Sequence, residues 1–339
     1  MRNVILLVLS ILGSFPYLYS QNPFQAFQEV QLALGDIFFL SDNYIAGGAE
    51  ASVYQSTSAW SSTAKSLDFF EVEASVHVNS LFIPESKRTF TVQNSDFNLV
   101  QIQNGESATL PTVLGGETAT FFNLDVDGGE NEFQALEGVG ETQLFNPFLQ
   151  VSVGLWREIE FTVRYSPDIV VSDIEYGLFG AGLKHSISQY FIKDINSNSL
   201  EVALQVAYSQ LNSNVLLDPF QVEIQDLGVD SLLSVNQLDI ALNSWLFEAL
   251  VSKRFKNFEL FGGVGFVDSN VQFALLGEQT FALGVLNGLL EEVEPSVNTL
   301  KGDLGVNYYF GKFYVSNVFT IGEFANYNIS LHYLSLIHI

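Results

Sequence analysis

The sequence predicts an all-β protein, a transmembrane antiparallel β-barrel of about 12–14 strands with a short N-terminal helical plug or hatch. Three observations predict it. Apolar residues recur with a period of two through most of the 339-residue chain, the period of a strand with two unlike faces. The chain is 47% hydrophobic with mean hydropathy +0.23, yet its formal net charge is −25. Apolar side chains are therefore abundant without being contiguous, and no stretch after the start is long enough for a membrane helix, which needs ~20 residues. Finally, tight turns alternate with long polar loops, as at the two rims of an outer-membrane barrel.

Residues 1–20 read as a secretory signal peptide. Arg2 supplies the positive start, an apolar run over 4–12 is broken only by Ser10, and Gly13 and Pro16 precede cleavage after Ser20. A secreted chain with no Cys fits a Gram-negative envelope rather than a disulfide-stapled extracellular domain. Residues 21–65 form a helical or hatch segment. Residues 23–34 predict a short amphipathic helix with Phe27, Val30 and Leu34 on one face and Gly35 as its stop. The Ser/Thr-rich stretch ending at Thr63 is placed to fold back as a plug.

Residues 66–333 are the barrel. In 70–79, Phe70, Val72, Ala74, Val76 and Val78 alternate with Glu71, Glu73, Ser75, His77 and Asn79. The same alternation runs through 159–165, 200–208, 237–243, 303–310 and 326–333. Trp156-Arg157-Glu158, residues 253–257 and Gly311-Lys312 are tight turns, the last a two-residue hairpin signal. Residues 84–145, 211–234 and 268–300 read as long loops. A soluble sandwich shares the period of two. The barrel is favoured by strands of ~10 residues, long enough for a tilted crossing. Aromatics lie toward strand ends at Phe148, Trp156, Tyr165, Tyr208, Phe310 and Tyr333, and glycines on the polar face suit a crowded lumen. Val72, Val76, Phe161 and Val163 are expected to face lipid. Residues 334–339 lose the alternation, lack a terminal aromatic and match the translation of a sequencing-library adapter, so they are expected to be a non-native tail.

Residues 40–45, Ala49-Glu50-Ala51, Trp60, residues 64–68, Leu81-Phe82-Ile83-Pro84, residues 146–151, residues 163–167 and residues 178–186 together resemble an uncharacterised outer-membrane family of Bacteroidota. The resemblance runs from about residue 21 to 333. That family is similar to FadL-type barrels, so the resemblance implies an N-terminal hatch and movement of hydrophobic molecules across the outer membrane.

The polar faces offer Glu71, Glu73, His77, Glu160 and Arg164 as lumen-lining residues. Glu160 and Arg164 lie about 13 Å apart on one strand, so each finds a partner only across strands. Asp125, Asp127, Glu130 and Glu132 form an oxygen-rich, glycine-turned stretch of the kind that holds calcium, without the spacing of an EF-hand loop. Missing Cys excludes thiolate catalysis, Cys-bound zinc and iron–sulfur clusters, and no cofactor is expected. The acidic balance excludes a nucleic-acid partner. No metalloprotease, nucleophile-elbow or phosphate-loop motif occurs, so the chain is not expected to be an enzyme; His185-Ser186 alone keeps a lipid-acting barrel enzyme as a third reading. The first reading is passive transport of hydrophobic or small amphipathic compounds, and the alternative is a barrel scaffold for a surface or secretion complex. Outer-membrane lipids, a hydrophobic small-molecule ligand and the barrel assembly machinery are the expected partners.

Overall fold

In the computed structural model, which describes residues 23–126, 129–171, 174–191, 200–224, 229–293 and 296–335, the alternating segments pair into one closed wall. The chain opens with helix α1 (Pro23–Thr57), then β1 (Val72–Phe82). An insert follows with five short strands, β2 (Thr89–Gln93), β3 (Val100–Ile102), β4 (Ser107–Pro111), β5 (Phe121–Val126) and β6 (Gly129–Gln134). Next come β7 (Gln143–Gly154), β8 (Ile159–Val171), β9 (Ile174–Ser186), β10 (Leu200–Ile224), β11 (Val229–Phe255) and β12 (Phe258–Leu276). Helix α2 (Phe281–Val293) precedes β13 (Ser296–Phe310), β14 (Phe313–Ile321) and β15 (Ala325–Ser335). The wall has ten strands, in the order β1-β15-β14-β13-β12-β11-β10-β9-β8-β7, and β1 closes it by pairing with β7.

Ten strands replace the 12–14 expected, and the reason is visible in the lengths. β10 and β11 hold 25 and 27 residues, so the segments expected as a loop over 211–234 continue the wall as one tall hairpin. The expected loop over 268–300 is likewise the end of β12, then α2 and the start of β13. The insert over 84–145 contributes no wall strand; it folds as two small sheets, β2-β4 and β3-β5-β6. The turns between β7 and β8, β11 and β12, and β13 and β14 all lie on one rim, and Gly311 takes φ +68° there, a conformation open to glycine. The insert, α2 and the tall hairpin rise from the other rim. β15 pairs with β1 as far as Ser335, two residues past the expected end of native sequence; residues 336–339 and the expected signal peptide over 1–20 lie outside the described residues.

The wall has two zones of opposite polarity. Near the turn rim every strand points apolar residues outward: Val76, Val151, Phe161, Leu183, Leu204, Val251, Val264, Leu304, Phe319 and Leu331 are all exposed, Val264 at 67%. A soluble monomer does not carry such a continuous belt, whereas a bilayer covers it. Inside this zone the lining is mostly polar, with Leu246, Leu250, Phe261 and Val318 among its apolar members. Further up, the same strands invert without losing register. Leu178, Leu211, Leu242 and Val271 are register neighbours across β9–β12, and all four are buried inward. Directly below them runs a ring of small residues, Gly180, Ser209, Ser244 and Ser269. Above the ring the interior is a conventional apolar core, a dome in which Leu238, Ile240, Phe273 and Leu275 enclose helices rather than meeting lipid. The alternation over 237–243 is therefore correct, but its apolar face looks inward.

α1 is also longer than expected, 35 residues without a break at Gly35. Tertiary packing outweighs the glycine stop signal. The carboxylate of Asp36 accepts hydrogen bonds from the backbone N–H groups of Asn98, Leu99 and Val100 at 2.7–3.0 Å, which ties the insert to the helix. Gly48 lets α1 pass within reach of Val113, where a Cβ would stand 2.7 Å from Cγ1. On α2, Leu283, Leu286 and Leu290 form the buried stripe, and Thr280 Oγ1 caps the helix by accepting from Leu283 N.

Candidate functional site

α1 enters the dome at its N-terminal end and reaches the ring of small residues at its C-terminal end. An irregular strap, residues 58–70, then descends to the turn rim, where β1 begins. Helix and strap together stop the lumen, so the junction between this plug and the wall is the site on which any passage depends.

Arg164 of β8 holds the top of the strap. It is fully buried and donates to the carbonyl oxygens of Ser58 at 2.9 Å and Ala59 at 2.8 Å, with a longer contact to Ser56 at 3.4 Å. The guanidinium thereby caps the carbonyl end of α1, where the helix dipole favours a cation. Its faces are covered by the rings of Trp60 and Phe148 at 4.3 and 4.1 Å. The Trp60 ring in turn fills a slot made by two wall glycines. A Cβ at Gly180 would lie 2.7 Å from the ring and one at Gly182 would lie 3.2 Å from it.

Several later strap residues meet wall partners. Ser61 bonds to Gln205, Ser62 to Tyr314 at 3.0 Å, and the Ser62 carbonyl accepts from Asn307 at 2.8 Å. Thr63 donates to Glu259 at 2.5 Å, and its carbonyl accepts from Lys184 at 3.2 Å. Ser66 Oγ accepts from Ser186 N, and Glu160 accepts from Leu67 N at 3.1 Å. Gly154 lets the strap end pass, since a Cβ there would stand 2.0 Å from the Asp68 carbonyl.

The residues expected to line the lumen divide between separate groups. Glu160 pairs with Lys184, its direct register neighbour on β9, at 3.0 Å. Glu73 accepts from Tyr314 at 2.9 Å and meets His332 Nδ1 at 2.8 Å. His77 stacks on Phe148 at 4.5 Å and bonds to Ser75 and Asn328. Glu71 precedes β1 at the turn rim and accepts from Asp68 N. Asp125 and Glu132 are exposed on the β5–β6 hairpin of the insert; Asp127 lies outside the described residues. Among the described residues no group of three or more His, Asp and Glu is placed to hold a metal ion.

Sequence reasoning missed two features. One is a buried ion triad, in which Lys301 meets Glu248 at 3.1 Å and Asp303 at 2.7 Å. Gly265 is the register neighbour of both Glu248 and Lys301, and its missing side chain leaves room for the pair to close over it. The other is a pair of Ser-x-His units on adjacent strands. Ser330 Oγ lies 2.8 Å from His332 Nε2, whose Nδ1 faces Glu73, and Ser75 Oγ lies 2.9 Å from His77 Nε2. Residues i and i+2 share a face of a strand, so this spacing is the signal that finds them. His185-Ser186 cannot pair in this way: Ser186 points inward, while His185 faces Tyr190 at 3.1 Å.

A lipid-facing belt around a polar, stoppered lumen defines an outer-membrane β-barrel with an internal plug. The chain belongs to a family of unknown function (DUF6588), whose model matches residues 1–334. Among solved structures it is similar to the translocator domain of the autotransporter NalP from Neisseria meningitidis (11% identity, 86% of this chain and 99% of that chain, TM-score 0.31). It is also similar to the outer-membrane protease OmpT from Escherichia coli (11% identity, 80% of this chain and 100% of that chain, TM-score 0.31). No curated protein matches the chain.

Proposed function

We propose that the protein is a gated outer-membrane conduit for hydrophobic or small amphipathic compounds, with α1 and the strap as the gate. One observation carries the reading. Two cavities follow one another along a single face of α1, the first against Ile37, Leu40, Ser41 and Tyr44, the second against Gly48, Ala51, Ser52 and Gln55. At 3.6 residues per turn these positions fall within a sector of about 120°. They lead from the apolar dome, where Phe90, Phe133 and Leu286 line the first cavity, to the polar ring above the strap. The strap's chemistry agrees with a gate. Apart from Trp60 and a small apolar cluster of Ala59 and Ala64 with Leu250, Phe261 and Val318, the strap meets the wall through polar groups that water can solvate when they part. The FadL-type resemblance points the same way. The reading carries with it export behind a cleaved signal peptide, insertion by the barrel assembly machinery and residence among outer-membrane lipids.

The test is the initial uptake rate of a labelled short-chain alcohol or amide by Gram-negative cells expressing the protein, against cells with an empty vector. Uptake that follows expression supports the conduit; equal uptake refutes it and leaves the closed scaffold. The Ser330–His332–Glu73 cluster favours a second reading, a lipid-acting enzyme. Neither cavity reaches the Ser330 hydroxyl, which is why this reading stands second. Covalent labelling of Ser330 by a fluorophosphonate would reverse the order.

A further inference from the structure

The lower of the two cavities, about 40 Å³, lies between the second half of α1 and the wall strands β7, β9, β10 and β11. Its walls are mostly apolar, with Leu144, Ile174, Leu211 and Ile240 prominent among them. Two polar side chains in this lining have no hydrogen-bond partner. Both the nitrogen and the oxygen of the Asn146 carboxamide are unpaired, and so is the Tyr176 hydroxyl, although the residues are only 1% and 7% exposed. Two of their polar neighbours are already engaged: Ser52 donates to the Gly48 carbonyl at 2.8 Å, and Gln55 donates to the Leu144 carbonyl and accepts from Asn79. Buried polar groups are normally paired, and leaving one unpaired costs about 1–3 kcal/mol, so orphans that converge on one cavity point to something that satisfies them.

The chemistry of the lining sets what that is. A carboxamide offers a donor and an acceptor together, and a phenol hydroxyl serves as either. No Lys, Arg, His, Asp or Glu lines the cavity, so a charged head group would be buried without a counter-ion. We propose that this cavity is a binding site for an uncharged head group that both donates and accepts hydrogen bonds, a primary amide or an alcohol, whose short apolar tail lies against Leu211 and Ile240. The head bonds to Asn146 and Tyr176 and the tail follows the face of α1 toward the dome. This assignment rests on the conduit reading and names its substrate class as neutral rather than anionic.

The experiment is fluorine NMR of three trifluoromethyl-tipped four-carbon probes, a primary amide, an alcohol and a carboxylate, with the full chain in nanodiscs and empty nanodiscs as blanks. The expected result is protein-dependent line broadening for the amide and the alcohol and none for the carboxylate. Asn146→Leu should weaken binding at least tenfold and Tyr176→Phe several-fold, with heat-modifiable gel mobility retained as the check on folding. Amide broadening no greater than with empty nanodiscs would mean that the cavity is merely hydrated and would overturn the proposal. So would undiminished binding by a folded Asn146→Leu variant, and equal binding of the carboxylate would overturn the neutral class. Binding without uptake by cells would sink the conduit and spare the site, whereas uptake without binding would do the reverse.

Discussion

Replacing Arg164 by Met should loosen the plug while leaving the wall intact. The methionine covers a similar apolar length but donates nothing, so the carbonyls of Ser58 and Ala59 lose their donor. Ser56 keeps a partner, because Ser209 Oγ donates to its carbonyl at 2.9 Å. Two strong charge-assisted bonds to the strap are lost, each worth roughly 1.5–3 kcal/mol, along with the contacts to Gln150 on β7, and part of that loss is offset because a buried cation is no longer desolvated. A net of roughly 3 kcal/mol is the expected reduction in the free energy that holds the strap. At about 1.4 kcal/mol per decade this is about a hundredfold larger open population of the strap. Hydrogen–deuterium exchange on the protein in nanodiscs reads it directly. Amides of residues 58–67 should exchange about a hundredfold faster in the variant, while amides of β8 and β9 should not change. Arg164→Lys should fall between the two, because it keeps the charge and loses the planar fork. Unchanged exchange in the strap, or equal acceleration throughout the wall, would refute the assignment of Arg164 as the residue that holds the plug.

Three further outcomes follow from the geometry. Gly180→Val should expel Trp60 from its slot and shift its fluorescence to the red, read with Trp156 and Trp245 replaced by Phe; an unshifted spectrum would contradict the 2.7 Å approach. Leu204→Arg should cost ~2–4 kcal/mol in folding into liposomes, while Asn212→Arg on the same strand should cost far less, because Asn212 lies above the inversion and faces water. Burial, and after it the negative charge of Asp68, raises the Glu158 carboxyl above the usual range in the β7–β8 turn. The penalty is absent at low pH and grows as pH rises above ~4.3. Glu158→Gln should therefore raise the temperature of gel-shift unfolding at pH 7 and leave it unchanged at pH 4.

The barrel was legible because period two is a property of each strand on its own. Val76 and His77 declare two unlike faces from sequence alone. Which face looks inward is not a local property, and this is where the reading stopped. Leu204 and Leu242 sit in equally regular alternations, yet the first meets lipid and the second packs inside the dome. Only the register of β9–β12 shows the point of inversion. The strand number failed for the same reason, since polar stretches outside the dome read as loops. Gly35 is a true stop signal in an isolated helix, and the insert overrides it through bonds to Asp36 that no local pattern records. At the site, Glu73, His77, Glu160 and Arg164 were found by their strand phase. Lys301, Glu248 and Asp303 were missed because they gather from β11 and β13, and His332 because its partner Glu73 stands on another strand, β1.

The central claim is that the plug must part from the wall for anything to pass, and a disulfide lock tests it most directly. Ser56 on α1 and Ser244 on β11 place their hydroxyl oxygens 3.4 Å apart, and the chain has no Cys to compete. In cells expressing Ser56→Cys with Ser244→Cys, uptake of a short-chain amide should fall to the empty-vector rate after oxidation. It should return to the wild-type rate after reduction, while each single variant is unaffected by either treatment. Uptake that continues undiminished through a fully formed crosslink would contradict the gate.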